Sequence, residues 1–338
     1  MNSSTTSLAT PHVPVMLEEV IKICSPSKGG IFLDCTFGGG GYSKELLKFS
    51  NTKVVALDRD SSVYKNAEKF KKKYPSQFSF FNEKFSNIDK IVGKDLRPDV
   101  IIFDLGLSMI QLMDYSRGFS FKSKKKIDMQ MGLSSISAED VVNKFDEKSL
   151  KLIIRIFGDE QEASKIAKNI ILARKIKAIT AVDELVQIIE KSKKKDFRKK
   201  INVSTKTFQA LRIFVNKEVT ELITGLIKSA KVIRLGGKII VVSFHSIEDR
   251  IVKYFFNNYS SNKSNPSRYL PPDNNQSLLL FDKHKNKPQY PCKEEIKNNP
   301  ASRSAKLRFA VRCEQDFIYP EEFKTKFKKY LDLEAINE

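Results

Sequence analysis

The residues able to do chemistry gather where apolar runs end. Phe37-Gly38-Gly39-Gly40-Gly41-Tyr42-Ser43 separates a strand-like run, Gly30-Ile31-Phe32-Leu33-Asp34, from a helical pattern. Glycines permit positive φ and let a ligand lie directly on the backbone, with a helix N-terminus behind it. Four in succession exceed what a tight turn requires, so the segment reads as a ligand-binding loop. Asp34 precedes it, Asp58 closes a second apolar run 20 residues after Gly38, and Asp104 closes a fourth. Phe85 follows the third. Carboxylates at the C-terminal ends of three parallel strands face one crevice, the place where open α/β sheets bind ligands.

The loop also says something about the ligand. A dinucleotide fingerprint needs glycine at the first, third and sixth positions, and counted from Gly38 the sixth is Ser43. No Lys or Arg lies within 36–43 to neutralise a pyrophosphate, although backbone amides can do so alone. This acidic, phosphate-free setting suits a cationic nucleoside such as S-adenosylmethionine better than NAD. Asp58 stands where a carboxylate can hold ribose hydroxyls, and the ring of Phe85 or Tyr42 can face a sulfonium. Methyl transfer is favoured, with a nicotinamide-dependent dehydrogenase as one rival.

Further candidates lie later. His245 begins the loop after the fifth strand, and a histidine pKa near ~6.5 suits proton transfer. The alternative is that His245 orients the loop while Ser246 and Glu248-Asp249 start a helix. Arg250 and Lys253 on that helix can face phosphates. Arg117-Gly118-Phe119-Ser120-Phe121 offers a guanidinium and two rings, Phe119 and Phe121, as a cradle for an unstacked base or as packing at a domain junction. Lys124 and Lys125 belong to one dense positive run, 122–126, and 191–200 is another, with seven basic residues in ten. Both read as RNA-backbone contacts rather than plain solvated faces. Gln209 and Arg212 are possible contacts on a helix otherwise given to packing.

These side chains need an alternating scaffold. Strands are predicted over 30–34, 53–58, 78–81 and 98–104, with helices over about 42–49 and 62–73, as in a parallel sheet with right-handed crossovers. From 122 to 220 no convincing strand appears; helical periods run over 138–145, 160–177, 181–194 and 205–234. Leu235-Gly236-Gly237 then leads into a strand at 238–243, and 304–313 resembles a last one. The fold class is α/β, one parallel sheet with an all-helical domain inserted after its fourth strand. The segments 257–275 and 282–299 read as long surface loops.

Composition bounds the partners. The 338 residues carry 60 Lys and Arg against 40 Asp and Glu, a net charge of +20, which points to a polyanion or to lysine richness alone. Hydrophobic residues at 41% and charged residues at 30% argue against wholesale disorder. No apolar run approaches the ~18 residues of a membrane span. Residues 1–11 lack the apolar core of a secretory signal and have no Arg, so a cytoplasmic protein without membrane partners is expected. Cys24, Cys35, Cys292 and Cys313 show no CxxC spacing, so neither a zinc site nor disulfides are expected, and the thiols read as buried.

Several segments together resemble one family. They are His12-Val13-Pro14-Val15-Met16; Asp34-Cys35-Thr36-Phe37 with the glycine loop; Phe103-Asp104-Leu105-Gly106-Leu107-Ser108; and Asp114-Tyr115-Ser116-Arg117-Gly118-Phe119-Ser120-Phe121. With them come Ile127-Asp128-Met129-Gln130-Met131, Thr207-Phe208-Gln209-Ala210-Leu211-Arg212-Ile213-Phe214-Val215-Asn216, and Ser243-Phe244-His245-Ser246-Ile247-Glu248-Asp249-Arg250-Ile251-Val252-Lys253. Asn299-Pro300-Ala301-Ser302-Arg303-Ser304-Ala305-Lys306-Leu307-Arg308 completes the set. In content and order they resemble the RsmH/MraW-type 16S ribosomal RNA cytosine-N4 methyltransferases, from about residue 12 to residue 312.

The resemblance implies a Rossmann-like methyltransferase sheet, 12–121 and 221–315, interrupted by a helical substrate-recognition domain, 122–220, and followed by a tail, 316–338. It implies S-adenosylmethionine as methyl donor. The acceptor would be the exocyclic amine of a cytidine in the decoding (P-site) region of small-subunit rRNA, with the rRNA or the 30S subunit as partner. Position by position, Gly40, Gly41 and Tyr42 would contact the cofactor, Asp58 its ribose and Phe85 its adenine. Asp104 and Gln111 would lie near the methionine end. Arg303 joins Arg250 and Lys253 among the RNA contacts. This chain departs from the family at Tyr42 (usually His), at Met109-Ile110 (usually Ser-Pro) and at Asn202-Val203 (usually His-Pro).

Cytosine N4 is a poor nucleophile, so the enzyme must align it and take up its proton; alignment alone contributes about 7–11 kcal/mol. The Asp/Asn-Pro-Pro-aromatic motif of many amino-methyltransferases is missing after the fourth strand, and Pro271-Pro272-Asp273 has the wrong order and place. Asp104, with Ser108, is the candidate to orient the amine or its proton acceptor; contact with the cofactor alone is the alternative. A non-catalytic RNA-binding or ribosome-assembly factor is the remaining rival.

Overall fold

The computed structural model describes residues 14–93, 96–193, 202–260, 278–282 and 287–336. Its centre is six strands: β1 Gly30–Asp34, β2 Thr52–Leu57, β3 Phe78–Phe81, β4 Val100–Asp104, β5 Lys238–Ser243 and β6 Lys306–Val311. They bond in the order β3-β2-β1-β4-β5-β6. All pairs are parallel except β5 and β6, where Lys238 faces Val311 and Ser243 faces Lys306. The chain runs outward from β1 to β3 and then crosses back to β4, so the ligand-binding switch point lies between β1 and β4. The reversed β6 departs from the parallel sheet expected.

Alternate residues serve opposite faces of the sheet. Phe32, Val54, Ala56, Ile102, Ile240 and Val242 enter one core; Leu33, Val55, Leu57, Ile101, Phe103 and Val241 enter the other. Burial on both sides is why the strands read as unbroken apolar runs.

The first half carries α1 Leu17–Cys24, α2 Gly41–Leu46, α3 Tyr64–Lys73, α4 Ile88–Val92 and α5 Met109–Met113. The helical region follows with α6 Ala138–Lys144, α7 Glu147–Gly158, α8 Ala163–Ile176, α9 Val182–Ser192 and α10 Thr205–Asn216, then α11 Glu218–Val232. After β5 come α12 Ser246–Asn258, α13 Lys293–Asn298, α14 Glu321–Lys326 and α15 Lys328–Glu334.

Several helices also differ from expectation, α1, α4 and α5 among them, which form where none was predicted. Helix α7 occupies a stretch where none was predicted: Asp146 caps it by accepting from Ser149 N at 2.9 Å, and Leu150, Ile153, Ile154 and Phe157 form its buried stripe. The single helix expected over 205–234 is two, broken at Lys217 with a left-handed φ of 49°. Residues 316–338, expected to trail, contain α14 and α15, which bury Phe323, Phe327, Tyr330 and Leu333 in the larger core. Helix α13 forms within the predicted loop 282–299. Cys292 is exposed, whereas Cys24, Cys35 and Cys313 are buried. His12 and Val13, the basic stretch 194–200, and the loop 261–277 with Pro271-Pro272-Asp273 lie outside the described residues.

Candidate active site

The glycine loop passes directly over the end of β2. Gly38 N–H donates to Asp58 Oδ2 at 2.8 Å, and Asp60 N–H donates to Asp58 Oδ1 at 2.9 Å. Gly40 has φ 74°, and a Cβ there would meet the Phe37 and Phe70 rings at 2.8 Å. A Cβ on Gly41 would collide with the Pro14 ring. The loop is thus glycine for packing reasons as well as for its fold. Behind it Asp34 accepts from Ser43 Oγ at 2.6 Å and holds the start of α2. Tyr42 is buried, and its hydroxyl donates to the Val15 carbonyl, tying the chain before α1 onto the loop.

A second acidic hub braces α5. Asp60 accepts from Gln111 Nε2 at 2.7 Å and from Ser62 N at 3.0 Å, and it pairs with Arg117. Ser108 and Gln111 form a capping box: Gln111 N–H donates to Ser108 Oγ at 3.3 Å and Ser108 N–H to Gln111 Oε1 at 3.0 Å. The box holds the turn that in this chain has Met109-Ile110 instead of Ser-Pro.

Between these elements lies a cavity of about 350 Å³. The residues Gly38, Gly39, Gly41, Tyr42, Asp58, Phe85 and Asp104 line it, with Ser108 and Gln111 at α5. Glu218, Glu221 and Leu222 of α11, with Phe244 and Glu248, form the far wall. Five carboxylates face it, and Arg59 is the one basic side chain of the described lining. That guanidinium is spent on Asn216 O at 2.8 Å and on Gly132 O and Ser134 Oγ, both at 3.2 Å.

The carboxylates are not equivalent. Burial pushes Asp58 up to about 6, partly offset by its two backbone donors. Burial also drives Asp104 well above the carboxylate range, and the charges of Asp34 and Glu248 add to it. Asp104 N–H donates to Thr36 Oγ1 at 2.7 Å, yet the buried Oδ1 has no hydrogen-bond partner. Burial would raise Glu248 too, but His245 and Arg212 overrule it and hold it below its ordinary value. The side chain of Glu248 accepts from Phe244 N at 2.8 Å and from His245 N at 3.2 Å. Arg212 forks onto Glu218 at 2.7 and 2.9 Å.

His245 does not line the cavity. It caps α12, its Nδ1 accepting from Glu248 N at 3.4 Å, and its Nε2 lies 3.0 Å from Glu248 Oε1. Glu218, His245 and Glu248 bring ligand atoms within 4.8 Å of one another. Arg212 already pairs with Glu218, and Glu248 accepts from two backbone N–H groups, so all three side chains also serve a network of ion pairs and hydrogen bonds.

The expected base cradle is packed away. Arg117 pairs with Asp60, donates to the Gln130 carbonyl and lies 5.3 Å from the Phe119 ring centre. Phe119 is buried, and Phe121 packs edge-on to Phe208 at 6.5 Å. Gln209 donates to the Phe157 carbonyl at 3.2 Å. Lys124, Lys125, Lys253 and Arg303 are exposed, as is Arg250, which donates to Tyr330 Oη at 3.0 Å.

Sequence reasoning missed Asp60, Arg59, Glu218 and Glu221. Asp60 sits two residues beyond an aspartate already singled out, an Asp-Arg-Asp run at a strand end that hints at more than one partner. The glutamates became visible only when the presumed long helix proved to break at Lys217, which brings Glu218 to a helix start.

A mostly parallel sheet in this order, with a reversed edge strand and an acidic cavity under a glycine loop, defines a Rossmann-like methyltransferase. Residues 9–313 match the MraW methylase family. The ribosomal RNA small subunit methyltransferase H of Orientia tsutsugamushi (strain Ikeda) is 41% identical over 311 residues, 90% of this chain and 99% of that protein. Its namesake in Ehrlichia canis (strain Jake) is 43% identical over 304 residues, 89% of this chain and 99% of that protein. Among solved structures, an rRNA methylase from Streptococcus thermophilus superposes with a TM-score of 0.39 at 9% identity, over 90% of this chain and 100% of that one, too loosely to inform the site. The chain belongs to the MraW methylase family. Among the described residues, no helix is long and apolar enough to cross a membrane.

Proposed function

We propose that this chain methylates the exocyclic N4 of a cytidine in the decoding region of small-subunit ribosomal RNA, with S-adenosylmethionine as donor. When bound, the donor supplies an electrophilic methyl group on a cationic sulfur. Five carboxylates against one committed arginine suit a cation and repel a polyphosphate. The loop backbone at Gly38, Gly39 and Gly41, the carboxylate of Asp58 and the ring of Phe85 would hold the nucleoside, whereas Gly40 packs against Phe37 and Phe70 and does not line the cavity. Tyr42 contributes its ring, since its hydroxyl is engaged with Val15. Gln111 has both ends of its amide engaged, so it shapes the loop with Ser108 rather than reaching the ligand.

The observation that carries the reading is Asp104. An amine that gains a methyl group must lose a proton. Asp104 has an oxygen that nothing else uses, and the positive sulfur of the bound donor would favour its ionised form, a carboxylate that burial makes unusually basic. Glu248 is held ionised by His245 and Arg212 and is the poorer acceptor. The chemistry also favours nitrogen over C5 of the ring. Carbon methylation needs a thiolate to add to the pyrimidine, and Cys35, the thiol of the described lining, is driven well above its usual value by burial. Lys124, Lys125, Arg250, Lys253 and Arg303 would meet RNA phosphates, either on the free rRNA or on the 30S subunit.

Nucleoside mass spectrometry of small-subunit rRNA methylated by the purified chain tests this. N4-methylcytidine formed only with the active chain is expected. 5-Methylcytidine would refute the acceptor atom, and RNA binding without methylation would favour an assembly factor.

A further inference from the structure

With Arg117, Phe119 and Phe121 packed inside, the bases next to the target need another surface. Ile110, Met113 and Tyr115 provide one. They are 39%, 65% and 47% exposed, unusual for large apolar side chains clustered within six residues. Ile110 lines the cavity, Met113 follows on the same face of α5 one turn later, and Tyr115 opens the next turn. The strip therefore leads directly out of the cavity.

Its position is enforced from beneath. Gln111, between the exposed residues, is buried and bonded to Asp60, while Ser123 Oγ donates to the Tyr115 carbonyl at 2.6 Å. Ser123 lies in the middle of the lysine run, and its oxygen also accepts from Lys125 N at 3.0 Å. That clamp sets Lys122, Lys124 and Lys125, all exposed, beside the apolar strip. Asp114, within the strip, is occupied by Ser116 N at 3.0 Å and by the Ser116 hydroxyl.

We propose that Ile110, Met113 and Tyr115 form a stacking platform for the single-stranded nucleotides flanking the target base, whose phosphates lie along the Lys122–Lys125 edge. Apolar side chains for base faces beside cations for backbone is the composition that single strands require. A second copy of the chain would have no use for the lysine edge. The proposal rests on the RNA-methylating reading above and names the contacts which that reading lacks.

The test compares the full chain with Met113→Ser/Tyr115→Ala, Tyr115→Phe and Lys124→Gln/Lys125→Gln, on a fluorescein-labelled decoding-region RNA fragment. The first variant should raise KM and Kd for the RNA about tenfold, as expected for a lost stacking contact, with kcat and the S-adenosylmethionine Kd unchanged. Tyr115→Phe should behave as wild type, because a ring face suffices. The lysine variant should lower the slope of log Kd against log salt by about 0.7 per contact. An active wild type whose double variant keeps its KM overturns the platform alone. A wild type that methylates no small-subunit RNA overturns the functional reading beneath it. Sedimentation showing a wild-type dimer that the double variant dissolves, with RNA affinity intact, assigns the strip to self-association and overturns the proposal.

Discussion

Replacing Asp104 by asparagine separates catalysis from stability more cleanly than any other change in the cavity. The two side chains have nearly the same shape, and no hydrogen bond to Oδ1 is lost, because there is none. The backbone bond from Asp104 N to Thr36 Oγ1 is untouched. What disappears is a buried acid near Asp34 and Glu248, both of which disfavour its ionised form. A carboxyl whose folded pKa is raised takes up protons on folding, so it costs stability as pH rises from its unfolded value through its folded one. Near neutral pH the asparagine variant should therefore melt at the wild-type temperature or above it.

Activity should move the other way. A positioned proton acceptor typically contributes about 10²- to 10⁴-fold, roughly 3–5 kcal/mol of barrier. Asparagine cannot take the proton, so the single-turnover rate should fall within that range. The assay is quenched methyl transfer at saturating cofactor, beside a calorimetric measurement of cofactor affinity and a thermal melt. A variant that binds cofactor and turns over near the wild-type rate would refute the assignment and move the proton to solvent. A large drop in melting temperature would refute the reading of Asp104 as unpartnered.

Three further outcomes follow from the same geometry. Because Asp58 titrates at about 6, affinity for the cationic S-adenosylmethionine should rise between pH 5 and pH 7.5 as the carboxylate ionises. Its demethylated product, whose sulfur carries no charge, should show a flatter profile in the same calorimeter, and parallel curves would contradict the acidic-cavity argument. Gly41→Ala, whose methyl collides with Pro14, should free the segment ahead of α1 and weaken cofactor binding, read by proteolysis at the N-terminus and by Kd. Glu334, buried and raised to about 8, is protonated when folded; its stabilising contribution is present at low pH and lost as pH rises through 8. Glu334→Gln should gain on wild type in melting temperature between pH 6 and pH 9, and an unchanged difference across that range would exclude the linkage.

The sheet was legible because its central strands are apolar on both faces, and a wholly buried run such as the Val100-Ile101-Ile102-Phe103 of β4 has few other readings. The helical region was legible only as periodicity. Helix α7 escaped because polar residues interrupt its start, and the break at Lys217 carries no glycine or proline to announce it. Its cause is tertiary: Asn216 gives its carbonyl to Arg59 and its side chain to Met131 N and Met129 O, at 2.8 and 2.7 Å. Single residues fared by the same rule. Asp58 and Asp104 sit at strand ends, where topology alone aims them at the switch point. Arg117, Phe119 and Phe121 sit in irregular chain, where composition cannot tell a presented ring from a packed one.

That difference bears on how the cavity is kept in shape, since its two walls are held by the two ends of the described chain. On one side Pro14 and Val15 lie on the glycine loop through Gly41 and Tyr42. On the other, Glu334 of the last helix accepts from Val219 N at 3.0 Å and from Thr220 N at 2.8 Å, the free donors at the start of α11. Glu218 and Glu221, which face the cavity, stand on that same first turn. The sheet alone places Asp58 and Asp104, but the opposing acidic wall requires α11 to begin where it does. The break at Lys217 and the cap from Glu334 set that start together. The helices of the segment expected to be a tail thus hold the far wall of the site.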